Sequence, residues 1–432
     1  MNNIGPVPEY PDIKTYMNFS RKGFIIWDGD PWKEATMSWK ESCYIHAGLS
    51  GAAITFEGKD AQDAISRSAI NNVYKWKIGM SKHLVQCNED GLIVNHGLML
   101  REGEEKFRLM ASAPFSIFRQ IKEGMDVKVS AREMYIFQIA GPLSLTAIEK
   151  ASGELHRDLK FLGTKMTRIA GIDVELSRIG MSGTLAYEVR GDMKDGPAVY
   201  DALYQAGKPL GMKRLGWNTY FVNHTEGGFP QMTGTFTFAE MLNEEYEVNP
   251  LELYDSLKMS GSIDPKDLRA RMRTPGELGW NWMAKFDHDF VGREAVEAEY
   301  NDPKRTIVML EYNAEDVLDT YASLFREGED YQTFGLPLGT EPGAGGHADL
   351  VTNKEGKAIG VASNPVYSYY YRKMIAHCTI DIDQAEIGNE VIVHWGEYGH
   401  KIKEIRATVA RFPYIDLPSN QEYDLDTVPK GV

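Results

Sequence analysis

Four stretches of the chain share a pattern in which an apolar, strand-like segment passes through a glycine into a segment with helical spacing. In the first, Ala52–Phe56 predicts a strand, Gly58 a turn, and Lys59–Ser68 an amphipathic helix. The others occupy residues 135–153, 186–207 and 289–300. These units are degenerate and unevenly spaced, which argues against a solenoid and favours an α+β fold built from split βαβ modules.

The pattern changes after residue 302. From Lys304 onward, short and often alternating apolar segments are bounded by Gly, Asn and Asp, which predicts a β-rich C-terminal domain. We therefore divide the chain into residues 1–302 and 303–432, and expect a glycine-rich loop over residues 335–349. Residues 1–35, rich in Pro, Gly and aromatics, are predicted to form an extended arm packed on the body.

Composition excludes several classes of protein. The 432 residues carry a net charge of −15 and no run of Lys or Arg, which argues against a nucleic-acid binder. Three cysteines without a CxxC motif suit a reducing cytoplasm. No signal peptide is evident, and no apolar run approaches the roughly 18 residues that span a membrane. We expect a cytoplasmic protein.

Residues 216–231, GWNTYFVNHTEGGFPQ, form the most unusual segment. Polar side chains, among them Asn218, Tyr220 and His224, are packed densely beside aromatics and glycines. This mixture is typical of a concave binding site with a few well-placed donors. The alternative is a polar loop that closes over a helix end.

Three further segments each allow a functional and a structural interpretation. In residues 177–191, glycines would let a flat ligand approach the backbone, and Glu188 could accept two hydrogen bonds from an aminopyrimidine edge; the alternative is an ordinary hairpin. In residues 89–100, Asn95 and His96 would lie at a hairpin tip or bulge, with catalysis as the alternative. In residues 367–378, four tyrosines with Arg372 and Lys373 would form an aromatic sheet face or a platform for an acidic tail.

A metal site is not expected. The sequence contains no GxGxxG after a strand, no P-loop, no HExxH and no GxSxG. His288 lies between two aspartates, but no further ligands follow at suitable spacing, so we interpret this segment as an acidic turn.

Taken in order, these segments resemble a known family. The resemblance rests on WKES (39–42), GKDA (58–61), GLIVNHGLML, QIAGP (138–142), SRIGMSGTLAYEV, LGWNTYFVNHTEGGFP, NPLE (249–252), KFDHDFVGREA (285–295) and the late YSY, TIDID and VIVHWGE. The family that the chain resembles is that of the folate-dependent aminomethyltransferases, the T-protein of glycine cleavage. The resemblance covers residues 35–430. Within that family the chain is most similar to the tetrahydrofolate-dependent aryl methyl ether O-demethylases that act on vanillate or syringate.

The resemblance implies a fold and a set of site residues. The fold would be a three-lobed cloverleaf: two interleaved ferredoxin-like lobes hold tetrahydrofolate in a central hole, and a C-terminal β-barrel closes it. Glu188 falls on the glutamate that grips the pterin, and Tyr220 on a tyrosine near the leaving oxygen. The implied cofactor contacts are completed by Arg178, Phe229 and Asn95, and the implied substrate contacts are Ser50, Ser112, Asn218 and His224.

Two departures from the family pattern concern chemistry. Asn95-His96 replaces the usual Asp pair near the folate. Ser112 precedes Ala113-Pro114, where vanillate-type enzymes carry an Arg that faces the substrate carboxylate. Because that bidentate partner is missing, we expect a neutral or differently anchored methoxy-aromatic substrate rather than vanillate.

The implied reaction moves a methyl group from an aryl ether oxygen to N5 of tetrahydrofolate. Tyr220 is the expected proton donor to the leaving oxygen, with His96 as a second donor or an orienting partner. A sulfonium, a methylamine or a methylenedioxy-aromatic are alternative donors. A non-catalytic folate-binding protein of the iron–sulfur assembly type is disfavoured because no cysteine lies in a K-G-C-x-x-G-Q-E context. We expect no metal and no obligate protein partner.

Overall fold

The computed structural model describes residues 3–20, 23–232, 234–242, 259–340 and 346–432. Its first elements are strands β1 (Asn3–Ile4), β2 (Val7–Pro8), β3 (Thr15–Ser20) and β4 (Gly23–Asp28) and the single-turn helices α1 (Trp32–Ala35) and α2 (Ser38–Glu41). Val7 and Tyr10 are buried, and the Tyr10 ring lies 6.2 Å from that of Tyr200. The N-terminal segment packs on the body as expected, although it forms two short hairpins.

A ten-stranded sheet runs through both N-terminal lobes. Its strands are β5 (Tyr44–His46), β6 (Gly51–Glu57), β7 (Ser81–Cys87), β8 (Ile93–Arg101), β9 (Lys106–Met110), β10 (Lys128–Ala140), β11 (Thr164–Ile169), β12 (Ile172–Ser177), β13 (Ala186–Asp192) and β14 (Lys213–Arg214). The order is β11-β12-β13-β10-β6-β9-β8-β7, and β5 pairs with β10 and β14.

The long strand β10 joins the two lobes by changing partners. Its first half, Lys128–Met134, pairs with β6, and its second half, Met134–Ala140, pairs with β13. We call the part with β6–β9 the first lobe and the part with β10–β13 the second lobe. The two lobes that the family resemblance implied are therefore interleaved through one strand.

Helices cover the lobes and connect them. Helices α3 (Ala61–Ser68) and α4 (Phe115–Phe118) belong to the first lobe, and α5 (Ser144–Ser152) and α6 (Gly196–Gly207) to the second. Helix α7 (Trp217–Gly227) follows β14, and α8 (Arg293–Asn301) precedes the barrel.

Three of the four predicted strand–glycine–helix units are confirmed as β6–α3, β10–α5 and β13–α6. In the fourth, α8 is present but no strand precedes it. Gly292 has a φ of +78° and packs on the carbonyl of Asn88, while the Val291 N–H donates to the Arg67 carbonyl. These contacts hold the segment across the first lobe as a loop.

The C-terminal region is β-rich, as its sequence pattern predicted, and forms the closed barrel that the family resemblance implied. Its strands are β15 (Arg305–Tyr312), β16 (Asp349–Thr352), β17 (Ala358–Ser368), β18 (Lys373–Asp381), β19 (Glu390–Trp395) and β20 (Lys403–Ala410), and helix α9 (Ala314–Ser323) follows β15. The order is β15-β18-β17-β16-β19-β20, closed by pairing of β20 with β15. The fold is thus α+β, with two interleaved lobes and a six-stranded barrel.

A buried ion pair ties helix α7 to its surroundings. The Glu226 carboxylate accepts hydrogen bonds from Trp39 Nε1 (2.9 Å) and from Ser368 Oγ (2.6 Å), and it pairs with the Lys40 ammonium. Since Trp39 and Lys40 lie on α2 and Ser368 on β17, one carboxylate links the N-terminal segment, α7 and the barrel.

After β20 the chain leaves the barrel and returns to the second lobe. Thr146 Oγ1 donates to the Pro429 carbonyl, the Gly431 N–H donates to Glu149, and Val428 is buried in the second-lobe core. The C-terminal tail, residues 411–432, therefore completes the second lobe, and its contact with Thr146 joins residues that are 283 positions apart in the sequence.

Candidate active site

A large cavity lies among the two lobes and the segment that leads into the barrel. Its volume is about 1250 Å³. The lining includes strand β8, the turn before β6, Trp217 at the start of α7, the turn that follows α7 and several residues between 278 and 285. Five of the predicted site residues contribute directly to this wall besides Glu188: Ser50, Asn95, His96, Ser112 and Phe229.

Glu188 presents a carboxylate that is held at one oxygen only. Its Oε2 accepts from Arg190 Nε (3.0 Å) and Nη2 (2.6 Å), and Arg190 Nη1 donates to Ser81 Oγ (3.1 Å). None of these bonds uses Glu188 Oε1. Arg190 is fully buried, so it keeps the carboxylate oriented while one oxygen remains available to a ligand in the cavity.

A row of polar residues crosses the sheet beside Glu188. Gln138 is in register with both Glu188 and His46, so these three side chains share one face of the sheet. Helix α7 covers this face, where Tyr44 donates to Asn223 Oδ1 at 3.1 Å.

Several buried polar atoms on this face have no hydrogen-bond partner among the described residues. They are His46 Nε2, Gln138 Nε2, Tyr220 OH, Asn223 Nδ2 and both ring nitrogens of His224. Buried polar groups in folded proteins are usually satisfied by protein, water or ligand. The face between the sheet and α7 is therefore one at which a polar ligand group would be stabilised.

Tyr220 lies one layer behind the cavity wall. Its ring stacks on His46 at 3.8 Å and contacts His224 at 4.0 Å, and the side chain is fully buried. Burial, together with nearby Tyr44 and Glu188, raises the pKa of Tyr220 well above its ordinary value. The hydroxyl therefore stays protonated, and it is a weaker acid than the ordinary tyrosine that the sequence led us to expect.

His46 was not predicted as a site residue from the sequence. Its position becomes evident only from the pairing of β5 with β10, which puts it in register with Gln138. Its Nδ1 lies 2.9 Å from the Leu215 carbonyl, which can only accept, so Nδ1 carries the proton and Nε2 a lone pair. Burial lowers the pKa of His46 to about 4. The ring is a neutral base beside Tyr220, immediately behind Gly48 of the cavity wall.

A second polar group, His83 with His96, faces the cavity from strands β7 and β8. His83 Nε2 and His96 Nδ1 are 3.1 Å apart. Phe229 and Trp280 pack on both rings. Burial lowers the pKa of His96 to about 4 and that of His83 well below its ordinary value, so both are neutral near pH 7. His83 was also missed, because nothing in its own segment marks it.

Phe229 separates the two polar groups. Its ring centroid lies 5.7 Å from His224 on one side and 5.4 Å from His83 on the other. The aromatic wall thus divides the histidine pair from the Tyr220 layer, and both flank the same cavity.

Asn95 can offer only an acceptor. Its Nδ2 donates to Gln86 Oε1 (3.2 Å) and to the Ala113 carbonyl, which uses both amide hydrogens and leaves Oδ1 for a ligand. Ser50 Oγ accepts from the Ile136 N–H at 3.0 Å and so mainly supports strand β10.

The structure places two predicted site residues away from the cavity. Arg178 donates to the Asn420 carbonyl (2.6 Å) and the Tyr423 carbonyl (3.2 Å), so it holds the C-terminal tail. Asn218, near the start of α7, does not line the cavity and donates to Asp28 Oδ1 at 2.7 Å. Predicted residue His224 lies behind Phe229 rather than in the wall.

The other sequence features also have structural roles. Arg372 stacks on Tyr369 and Lys373 pairs with Glu311, away from the cavity. His288 Nε2 donates to the Ala69 carbonyl at 3.0 Å. Across the described ranges, no cluster of three His, Cys, Asp or Glu side chains is arranged to hold a metal, and no helix is long and apolar enough to cross a bilayer. The NPLE motif lies outside the described residues.

Comparisons with known proteins agree with this architecture. Residues 34–239 match the GCVT N-terminal domain. Sesamin methylene transferase of Sinomonas sp. is 35% identical over 94% of this chain and 94% of its own length. Syringate O-demethylase of Sphingobium sp. is 28% identical over 89% of this chain and 88% of its own.

A solved structure shares the fold. The glycine cleavage aminomethyltransferase T from Bartonella henselae superposes with a TM-score of 0.67 over 95% of both chains, at 16% identity. The two-lobe sheet, the barrel, the central cavity and the match to sesamin methylene transferase over nearly the whole length lead to one conclusion: this chain is an enzyme of the GCVT family of transferases.

Proposed function

We propose that this enzyme transfers a methyl group from a methoxylated aromatic compound to N5 of tetrahydrofolate, giving a phenol and 5-methyltetrahydrofolate. The observation that carries the proposal is a single cavity that combines the half-held carboxylate of Glu188 with an aromatic compartment around His83 and His96. The similarity to syringate O-demethylase supports the same reaction type.

The cavity residues fit tetrahydrofolate. Glu188 Oε1 can accept from the aminopyrimidine edge of a pterin, while Arg190 keeps the carboxylate oriented. Asn95 Oδ1 adds a second acceptor, and Phe229 an aromatic surface. Bound there, tetrahydrofolate would supply the N5 amine that takes up the methyl group.

The protein must assist the leaving oxygen, because a neutral aryl ether releases a phenolate. Two donors are near the cavity. Tyr220 keeps its proton at any working pH and would stabilise the oxygen by hydrogen bonding once a ligand reaches the Tyr220 layer. His96, neutral and linked to His83, can donate through one ring nitrogen only. We assign Tyr220 as the principal donor to the leaving oxygen and His96 as the second donor.

The aromatic compartment favours a neutral ring. His83 and His96 are uncharged, and Phe229, Phe236, Phe238 and Trp280 surround them. With Ser112 where an arginine would meet a substrate carboxylate, a carboxylate placed there would lose hydration without gaining a cation. A methoxy-aromatic without a carboxylate on the reacting ring is therefore the proposed substrate class.

Anaerobic incubation with tetrahydrofolate and a panel of methoxylated aromatics, with and without carboxylates, tests the proposal. Mass spectrometry should detect 5-methyltetrahydrofolate together with the matching phenol. Tight folate binding without turnover of any compound would refute O-demethylation and leave a different one-carbon donor.

A second candidate is methylene transfer from a methylenedioxy-aromatic, favoured by the 35% identity to sesamin methylene transferase. The same incubation separates the two once a methylenedioxy-aromatic is added to the panel. A methylenedioxy donor would yield 5,10-methylenetetrahydrofolate and a catechol, and this folate has two hydrogen atoms fewer than 5-methyltetrahydrofolate.

A further inference from the structure

The barrel contacts the site through a bulge in one of its strands. In β17 the pairing with β18 shifts between Ser363 and Val366, and Asn364 at this bulge has a φ of +50°. Asparagine is one of the few residues besides glycine that adopt this left-handed conformation readily. The bulge brings the buried Asn364 side chain out of the strand ladder and against helix α7.

Asn364 fills the space between α7 and the turn that follows it. Its Nδ2 donates to Thr225 Oγ1 at 2.7 Å, and Thr225 Oγ1 donates in turn to the Phe221 carbonyl at 2.9 Å, one helical turn earlier. On the other side, a Cβ atom added at Gly234 would lie 3.2 Å from Asn364 Cγ, so the turn packs closely on this side chain. The bulge therefore contacts both the last turn of the helix and the segment after it.

His377 on β18 contacts the same two segments. Its Nε2 donates to the Thr225 carbonyl at 3.2 Å, so Nδ1 carries a lone pair and accepts from Thr235 Oγ1 at 2.8 Å. Carbonyl groups in the last turn of a helix lack the usual partner four residues further on, and His377 supplies one from the barrel. Burial lowers the pKa of His377 to about 4, so the ring stays neutral near pH 7 and keeps one donor and one acceptor.

Both contacts flank the residue that divides the cavity. Phe229 follows the glycines that end α7, and its ring lies between the Tyr220 layer and the histidine pair of the first lobe. Thr225 precedes Phe229 in the chain and Thr235 follows it, and barrel side chains hold both. The position of this aromatic wall therefore depends on the barrel.

We propose that Asn364 and His377 are positioning residues for methyl transfer: by holding the end of α7 and the turn after it, they fix Phe229 between the two polar groups of the site. The inference rests on the proposed function, which makes both groups part of the reacting centre. Because reaction rates depend steeply on the alignment of reacting groups, a small displacement of this wall should weaken turnover, although neither residue lines the cavity.

Asn364→Gly tests the proposal directly, because glycine adopts the same backbone conformation and only the side-chain contacts are lost. In steady-state assays of methyl transfer, kcat/KM for the aromatic substrate should fall about tenfold, with a higher KM. The Kd of tetrahydrofolate should change by less than about threefold, because Glu188 and Asn95 lie on the sheet rather than on α7. A residue that only stabilised the fold would leave the KM of the folded enzyme unchanged.

Arg372→Gly is the matched control. Arg372 also lies in the barrel with a positive φ, +57°, but it is exposed and does not line the cavity, so this variant should behave as the wild type. Asn364→Asp keeps the shape of the side chain without its N–H donor and should resemble Asn364→Gly. His377→Leu should also raise the KM, and if that variant does not fold, the two Asn364 variants carry the test.

Hydrogen exchange of the free enzyme measures the positioning without any substrate. Amides in the last turn of α7 and at Phe229 should exchange roughly tenfold faster in Asn364→Gly and at the wild-type rate in Arg372→Gly. Unchanged exchange, or unchanged kcat and KM in an active Asn364→Gly enzyme, would overturn the inference. A wild-type enzyme that demethylates no methoxy-aromatic would instead reject the proposed function, and the exchange rates would still show whether the barrel holds this segment.

Discussion

Burial determines what each titratable side chain at the site can do. Tyr220 becomes a weaker acid and the histidines become neutral, because the charged form of each group is disfavoured away from water. The site therefore works with hydrogen bonds from neutral donors rather than with full charges. Glu188 is the exception, since Arg190 compensates its charge.

Replacing Tyr220 by Phe should lower kcat by about 100-fold or more, because the hydroxyl is the proposed donor to the leaving oxygen. Folate affinity, measured by calorimetry, should stay within about twofold. Tyr187→Phe is the control, since Tyr187 also has a buried, unpartnered hydroxyl but lies in the second-lobe core. Unchanged turnover in Tyr220→Phe would exclude Tyr220 as the donor.

Arg178 provides a contrasting prediction. Arg178→Leu should lower the free energy of unfolding by about 2–4 kcal/mol, because three hydrogen bonds from the guanidinium to the C-terminal tail are lost, two of them buried. Urea denaturation measures this change, and folate affinity measured in parallel should not move. If Arg178→Leu lost folate affinity but kept normal stability, Arg178 would be a cofactor-binding residue, as the family resemblance implied.

Local sequence located some site residues but not others. Glu188, Asn95, His96 and Phe229 lie in segments whose composition or family pattern is unusual, and all line the cavity. His46 and His83 reach the site through strand register, which a single sequence does not encode locally. Arg178 sits in a glycine-rich motif, but its partners come from the far end of the chain.

At the scale of elements, helix α7 is positioned by the buried ion pair between Lys40 and Glu226. Burial lowers the pKa of Lys40 to about 8 despite the attraction of Glu226. Such a pair contributes little net stability, yet either partner alone is costly because its charge is uncompensated. The pair therefore specifies where α7 lies relative to α2 and β17.

Lys40→Met should destabilise the protein by about 3–5 kcal/mol, because Glu226 would remain buried without its cation. The Lys40→Met/Glu226→Leu double variant should recover most of that loss. A double-mutant cycle by chemical denaturation gives both values. Additive losses in the double variant would show that the two side chains are not coupled.

Periodicity predicted the elements better than their connections. The units β6–α3, β10–α5 and β13–α6 follow from local alternation and helical spacing. The splitting of β10 between two lobes does not, because it depends on which strands compete for each half of its edge.

At the scale of the whole molecule, burial lowers the pKa of six histidines. They are His46, His83, His96, His156, His224 and His377. In the unfolded chain each would titrate near 6.5. As the pH falls below that value, these histidines bind protons in the unfolded state but stay unprotonated in the folded state, which favours unfolding.

Stability should therefore be complete above pH 6.5 and fall steeply toward pH 4. Each histidine should cost roughly 2 kcal/mol at pH 5. Calorimetric Tm values at about pH 7.5, 6 and 5 measure the trend, and His400→Asn should follow the wild-type curve because His400 is exposed. A Tm that stays constant down to pH 5 would contradict this prediction.

The C-terminal tail has a consequence for synthesis on the ribosome. The second lobe is encoded before residue 215, yet its core includes Val428, and Glu149 of its helix α5 accepts from the Gly431 N–H. This lobe cannot close before residue 431 has left the ribosomal exit tunnel. Nascent chains must expose the apolar groove beside α5 until that point, so chains that terminate before residue 411 present the groove to chaperones and proteases.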